Sequence, residues 1–225
     1  LVGIGSTTML LLDDTEPQDP RRPDLEVILQ ETKRLDRIVN QIIDYARPRE
    51  IVALPFDMAQ LVQEVIKVLD EPLSSRKVTA KVAAPSAPYP IQADRDQLKQ
   101  VLLNVIQNAI EATPPGGTIS LALGLQTRRT EAGIEVTVTD RGQGISPAHL
   151  PHVFEPFFTS GKPRGTGLGL AICRNILDAH GGDLALESDL GVGTTVRVWC
   201  PLRQQLQLQR MQGEEYHAGH DLRHG

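Results

Sequence analysis

Two asparagines, Asn104 and Asn108, stand one helical turn apart in NVIQNAIEA, a run that is otherwise strongly apolar. Asparagine is a mediocre helix former, and its amide is costly to bury without partners, so the pair needs a reason. One reason is chemical. An amide oxygen is a neutral, hard ligand that can join a Mg²⁺ shell without adding negative charge beside phosphates. The other is a solvated polar face, because Gln97, Gln100, Asn104, Gln107, Asn108 and Glu111 all fall within an arc of about 100°. That face explains the glutamines better than the asparagines, since exposed helix positions favour Glu, Lys or Gln. On this helix alone both readings stand.

Three further segments carry chemistry. VTVTD delivers Asp140 to a turn, followed by Arg141-Gly142-Gln143-Gly144-Ile145. A carboxylate there can form the turn itself, or accept a hydrogen bond from an exocyclic amine while the glycines let a flat base approach. FEPFFTSGKPR (154–164) is an apolar patch in a connection long enough to serve as a lid. GTGLGLAICRNI (165–176) opens a helix with Gly165, Gly167 and Gly169, where free N–H groups and the helix dipole favour phosphate. It lacks the GK[ST] of a Walker A loop, and no strand leads into it as a dinucleotide turn requires.

The elements that must position these residues are legible in outline. Leu25, Ile28, Thr32, Leu35, Val39, Ile42 and Ala46 alternate spacings of three and four, which predicts a long helix over 24–46 with a heptad seam. Leu1, Ile4, Thr8 and Leu11 repeat the spacing, and the prolines of TEPQDPRRP between them read as a turn. Two such helices make a hairpin that cannot bury a core alone, so a dimeric four-helix bundle is the expected completion. Beyond residue 50, helices are expected over 58–69, 95–112 and 168–179, and strands over 78–82, 118–125, 134–139, 183–188 and 194–199. Strands interleaved with helices around one core give an α+β fold, a two-layer α/β sandwich. The expected domains are 1–50 for the hairpin and 51–202 for the sandwich, with a polar tail over 203–225.

Composition narrows the functional classes. A chain of 225 residues with 40% apolar content can bury at least one full core. Its net charge of −5 argues against general nucleic-acid binding. Cys173 and Cys200 have neither metal-ligand spacing nor a CxxC partner, and read as reduced packing residues of a cytoplasmic protein. No run approaches the roughly 18–20 apolar residues of a membrane span. The chain opens LVGIGST, without Met, in what already reads as a helix, so a fragment is expected. Any membrane attachment would come through a missing upstream region.

Taken together and in this order, DQLKQVLLNVIQNAIEA, DRGQGI, FEPFFTSG and GTGLGLAI resemble the asparagine, first glycine, phenylalanine and second glycine boxes of sensor histidine kinases, in the GHKL ATPase superfamily. ETKRLDRIVNQIIDYARP is similar to the second helix of that family's dimerisation and phosphotransfer domain. The style of the lid is similar to that of nitrogen-regulation-like kinases. The resemblance implies the GHKL (Bergerat) ATP-binding sandwich, with ATP and Mg²⁺ as cofactors. It also implies a homodimer, and a response regulator receiver domain as partner. By position, Asn108 would coordinate Mg²⁺ with Asn104 supporting it, and Asp140 would take the adenine amino group, with Gly142 and Gly144 lining the base. Phe154, Phe157 and Phe158 would anchor the lid. Gly165, Thr166, Gly167, Leu168 and Gly169 would bring backbone amides to the triphosphate. Lys162 and Arg164 are lid cations for the γ-phosphate, or else two solvated loop charges.

The resemblance also separates kinase from ATPase. Gyrase-, chaperone- and mismatch-repair-type relatives carry a glutamate one turn before the Mg²⁺ asparagine, where it activates water; Asn104 cannot act as that base. The family's acceptor histidine has no match here, and would lie shortly upstream of Leu1. His149 and His152 fall in the lid segment, His180 at a helix end as a charged cap, and His217, His220 and His224 in the tail. Glu111 replaces a lysine common in relatives, and Gly161 makes the lid one residue longer. The expected function is therefore the core of a histidine kinase that cannot phosphorylate itself as written. The alternatives are a phosphotransfer-deficient nucleotide-binding and dimerisation module, and a true GHKL ATPase, against which Asn104 speaks.

Overall fold

The computed structural model describes residues 1–46, 50–83, 88–128, 130–159 and 165–202. They form two compact units that divide between residues 49 and 50. In the first, helix α1 (Val2–Asp13) packs on helix α2 (Arg22–Ala46). Helix α2 starts two residues before the sequence suggests, because Pro23 falls in the first turn, where its missing N–H would have no partner in any case. The Arg22 guanidinium donates to the carbonyls of Leu12 and Thr15 at 3.1 and 2.9 Å, tying the start of α2 to the C-terminal end of α1. Small residues line the contact: Gly5 faces the Thr32 methyl, and Thr8 and Thr32 are buried with their hydroxyls turned onto the carbonyls one turn back. The apolar seam is left uncovered, with Ile28, Leu35, Val39 and Ile42 all exposed.

The second unit is a two-layer sandwich. Its five-stranded sheet runs in the order β2 (Thr79–Ala83), β4 (Thr118–Arg128), β5 (Glu131–Asp140), β7 (Gly193–Pro201), β6 (Asp183–Asp189). Strand β2 is parallel to β4, and the remaining pairs are antiparallel. Alternation along the strands turns Ile119, Leu121, Ile134, Val136, Val138, Val196 and Val198 to one buried face. Against it pack helices α3 (Met58–Val68), α5 (Arg95–Ala112) and α6 (Gly169–Ala179), which contribute Leu61, Val62, Val65, Leu102, Ile106, Ile172 and Leu177.

Beside a single 3₁₀ turn at Leu150–His152, three elements were not foreseen in the sequence. Strands β1 (Leu54–Asp57) and β3 (Pro90–Ala93) pair as a separate two-stranded sheet. The Asp57 carboxylate joins it to α3, accepting from the backbone N–H groups of Ala59 and Tyr89, both at 2.9 Å. Helix α4 (Asp70–Arg76) follows α3, and its Arg76 donates to the Ile110 and Glu111 carbonyls at 3.3 and 2.7 Å, closing the C-terminal end of α5. All three are too short for periodicity to reveal them.

The start of α5 is held as firmly as its end. The Asp94 carboxylate accepts from the N–H groups of Asp96 and Gln97, the Gln97 side chain and the Val52 N–H, between 3.0 and 3.1 Å. Burial pushes the Asp94 pKa up, but these hydrogen bonds, led by Gln97, outweigh it and hold the group below its ordinary 3.8. The Asp94 N–H in turn donates to His180 Nε2 at 3.2 Å, while His180 Nδ1 lies 2.8 Å from the Ile176 carbonyl. One nitrogen must therefore accept and the other donate. The buried ring is neutral with its proton on Nδ1, which replaces the charged helix cap expected from the sequence. His180 ties the end of α6 to the start of α5.

Candidate functional site

Helix α5 carries the polar stripe, and its two ends meet the two glycine-rich segments. Seven of its residues (Leu98, Val101, Leu102, Val105, Ile106, Ala109 and Ile110) are buried on the sheet side, leaving Asn104, Gln107, Asn108 and Glu111 half-buried. Asn104 Nδ2 donates to the Gly169 carbonyl at 3.4 Å, where α6 begins. Two turns further on, Ala112 meets the first glycine segment: its carbonyl accepts the Gln143 N–H at 3.4 Å. From Asn104 to Ala112 is about 12 Å along the axis, on the scale of a bound nucleotide.

At the Ala112 end sits Asp140. It shares the parity of Val136 and Val138, so its side chain turns inward toward the helices, where it is buried. Its Oδ1 accepts from the Gly142 N–H at 2.8 Å and the Thr194 N–H at 3.2 Å. Thr194 stands directly across the ladder from Asp140, and its hydroxyl lies 2.9 Å from Ser188 Oγ. Ser188 also accepts the Ile145 N–H and lies within hydrogen-bond reach of the Gly193 carbonyl, both at 2.9 Å. Thr194 and Ser188 were not singled out in the sequence, because only the pairing of β5, β6 and β7 brings them to Asp140.

The glycines of this segment serve the backbone. A Cβ on Gly142 would stand 2.3 Å from the Ala112 carbonyl oxygen, and one on Gly144, at φ +65°, 2.0 Å from that of Asp189. Both positions are filled by the protein's own main chain.

At the other end, Gly167 has φ +69° and backs onto the main chain of Phe157 and Phe158, which a Cβ would meet at 2.3 and 2.6 Å. The lid and the second glycine segment are thus in direct contact. Phe157 is itself at φ 65°, a strained conformation for a bulky residue, with its ring exposed. Phe158 packs against the rings of His149 and His152, and the Arg174 guanidinium lies 5.2 Å from the Phe154 ring. Thr166 Oγ1 accepts the Leu168 N–H at 3.4 Å. Leu168 has its side chain in the core, 1% exposed, so only its backbone can face a ligand. Gly165 is exposed, and a Cβ on Gly169 would lie no closer than 3.8 Å to Asn104. Lys162 and Arg164, like Gly161 and the tail histidines, lie outside the described residues.

Cys173 sits one turn into α6 behind Asn104. Burial pushes its thiol up to about 12, while a hydrogen bond with Asn104 pulls the other way, and its Sγ donates to the Val101 carbonyl at 3.7 Å. The thiol is a packing group that braces Asn104. Cys200 is likewise buried, with its thiol pushed up to about 12. Among the described residues no cluster of His, Cys, Asp and Glu could hold a metal on its own. A cation here would have to share its shell with neutral amides and a ligand.

Comparison with known proteins agrees with this geometry. Residues 93–204 match the family model described as histidine kinase-, DNA gyrase B-, and HSP90-like ATPase. The chain is 35% identical over 177 residues to the sensor histidine kinase ZraS of Escherichia coli K12, covering 79% of this chain and 37% of that one. The chain spans less than half the length of the curated relatives it matches. Full-length ShkA, solved in complex with AMPPNP, is similar with a TM-score of 0.72 at 25% identity, over 88% of this chain and 42% of that one. The catalytic domain of histidine kinase ThkA matches at 32% identity and a TM-score of 0.57, over 67% of this chain and 95% of that one. ThkA in complex with the response regulator protein TrrA matches at 29% identity and a TM-score of 0.66, over 88% of this chain and 56% of that one. The chain belongs to the sensor histidine kinases and carries their GHKL-type ATP-binding domain. No helix among its described residues is long and apolar enough to cross a membrane.

Proposed function

We propose that this chain binds Mg²⁺-ATP along the polar stripe of α5, as the nucleotide-binding part of a kinase whose acceptor is a histidine outside this sequence. The observation that carries the reading is the span of that stripe. A buried carboxylate stands at one end, and at the other a glycine-led helix start in van der Waals reach of Asn104. Asp140 would accept the adenine amino group, with Thr194 beside it. The backbone amides of residues 165–169 would take the phosphates, and Asn108 would hold Mg²⁺ with Asn104 supporting it. Mg²⁺-ATP, when bound, supplies a γ-phosphoryl group for transfer to a histidine nitrogen and onward to a response-regulator aspartate.

The residues favour retention over hydrolysis. The Asn104 amide already donates to Gly169 and cannot take a proton from water, so no base stands one turn before Asn108. The hairpin would be part of the dimerisation and phosphotransfer domain of a homodimer. Its exposed Ile28, Leu35, Val39 and Ile42 favour a second copy, because burying such a side chain contributes about 1.5–3 kcal/mol. The solved ThkA–TrrA complex supports a receiver domain as the next partner.

Incubation with γ-labelled Mg²⁺-ATP tests the reading. Bound nucleotide with little free phosphate and no acid-labile protein label is expected, and Asn108→Ala should abolish the Mg²⁺-dependent binding. Rapid release of phosphate would move the protein to the ATPases. Undiminished affinity in the variant would show that the helix has been misassigned.

A further inference from the structure

On the outer face of the sheet, opposite the face that α5 covers, lies a cavity of about 410 Å³ lined by Lys81, Gly117, Thr118, Ser120, Thr139 and Arg141, the last two flanking the inward-turned Asp140. Strand alternation creates it. Ile119, Leu121, Val138 and Asp140 turn inward, so Ser120 and Thr139, which pair across β4 and β5, turn outward, with Lys81 beside Ser120 on edge strand β2.

The charge on this face is divided unevenly. In its far half arginines and carboxylates satisfy one another: Arg128 pairs with Glu135 at 2.6 Å and with Asp183, and Arg197 pairs with Glu187 at 2.7 Å. In the near half Lys81 and Arg141 converge on the cavity, and neither is in an ion pair among the described residues. The hydroxyls of Thr118 and Ser120 have no hydrogen-bond partner among the described residues, and that of Thr139 shares a 3.1 Å bond with Thr195.

We infer that this outer-face cavity is a binding site for a small phosphoryl-bearing anion, separate from the nucleotide site. The donor set selects the chemistry. An ammonium, a guanidinium and three hydroxyls in one concavity exceed what the two oxygens of a carboxylate accept, and suit the three terminal oxygens of a phosphoryl group. The volume admits an anion of diphosphate size with its first waters.

Inorganic pyrophosphate is the probe, titrated into the isotopically labelled chain and followed by the amide resonances of Gly117, Thr118, Ser120 and Thr139. Saturable shifts are expected at these residues, and Lys81→Glu should weaken binding by about tenfold or more, the value of a charge-assisted hydrogen bond. Ser120→Ala should weaken it less. Neither substitution touches the nucleotide site, so AMPPNP affinity should hold in both variants and report that the fold is intact. Shifts confined to Asn108 and residues 165–169 would overturn the inference, as would binding unchanged in Lys81→Glu. Citrate binding as tightly as pyrophosphate would overturn the phosphoryl assignment.

Discussion

The two glycine-rich segments look alike in the sequence and are built for different reasons. In DRGQG the protein's own backbone excludes a side chain: Gly142 abuts the Ala112 carbonyl, and Gly144 abuts the turn between β6 and β7 at a positive φ. In GTGLG, Gly167 is held this way, by the lid, whereas Gly169 has ordinary room for a methyl group. A glycine that the fold requires says nothing about a ligand. One that the fold does not require, at a helix start facing an amide, is where a ligand's demand becomes visible.

Gly144→Ala should have the largest effect. A methyl overlapping the Asp189 carbonyl at a left-handed φ should cost about 3 kcal/mol or more in urea unfolding, with binding lost only through the fold. A stable Gly144→Ala protein that cannot bind nucleotide would break the comparison.

Asp94→Ala, at the start of the helix that serves both segments, should cost about 1–2 kcal/mol. Because the folded pKa of Asp94 lies below 3.8, its contribution is fully present above that pH and disappears as pH falls through the folded value. Melting temperatures of the parent and Asp94→Asn should therefore differ at neutral pH and converge below about 3.8. A difference that stayed constant well below that pH, through the acid range, would mean that the carboxylate charge is irrelevant.

Gly167→Ala should cost about 1–2 kcal/mol at its left-handed φ, and should loosen the 154–159 segment more than the core, read by hydrogen exchange of the Phe158 amide. Gly169→Ala sharpens the contrast most, with the smallest effect on stability. It should leave stability unchanged or raise it by up to about 1 kcal/mol, since alanine is the better helix former, while nucleotide affinity falls. If affinity held, the glycine at this helix start would have no ligand to explain it.

Much of this was legible locally. Helix α5 was read to the residue, because its apolar periodicity is a short-range signal. Strand β5 was placed by its alternating Ile134, Val136 and Val138, which also fixed Asp140 at its end. The small sheet of β1 and β3 was not legible, since four-residue strands carry little pattern and pair across more than thirty intervening residues. Nor could the sequence foresee that His180 would accept a hydrogen bond from the backbone N–H of Asp94, 86 residues away.

The sequence by itself determined which chemistry the chain carries: a paired-asparagine helix, a carboxylate at a strand end and a glycine-led helix start, each written in a run of neighbouring residues. Only the tertiary structure decided how they combine. It set Thr194 opposite Asp140 across 54 residues and Asn104 beside Gly169 across 65, placed Leu168 in the core, and separated the glycines the fold needs from those it does not. The physical reason is that strand register and helix packing depend on contacts distant in sequence, whereas periodicity, caps and turns depend on neighbours.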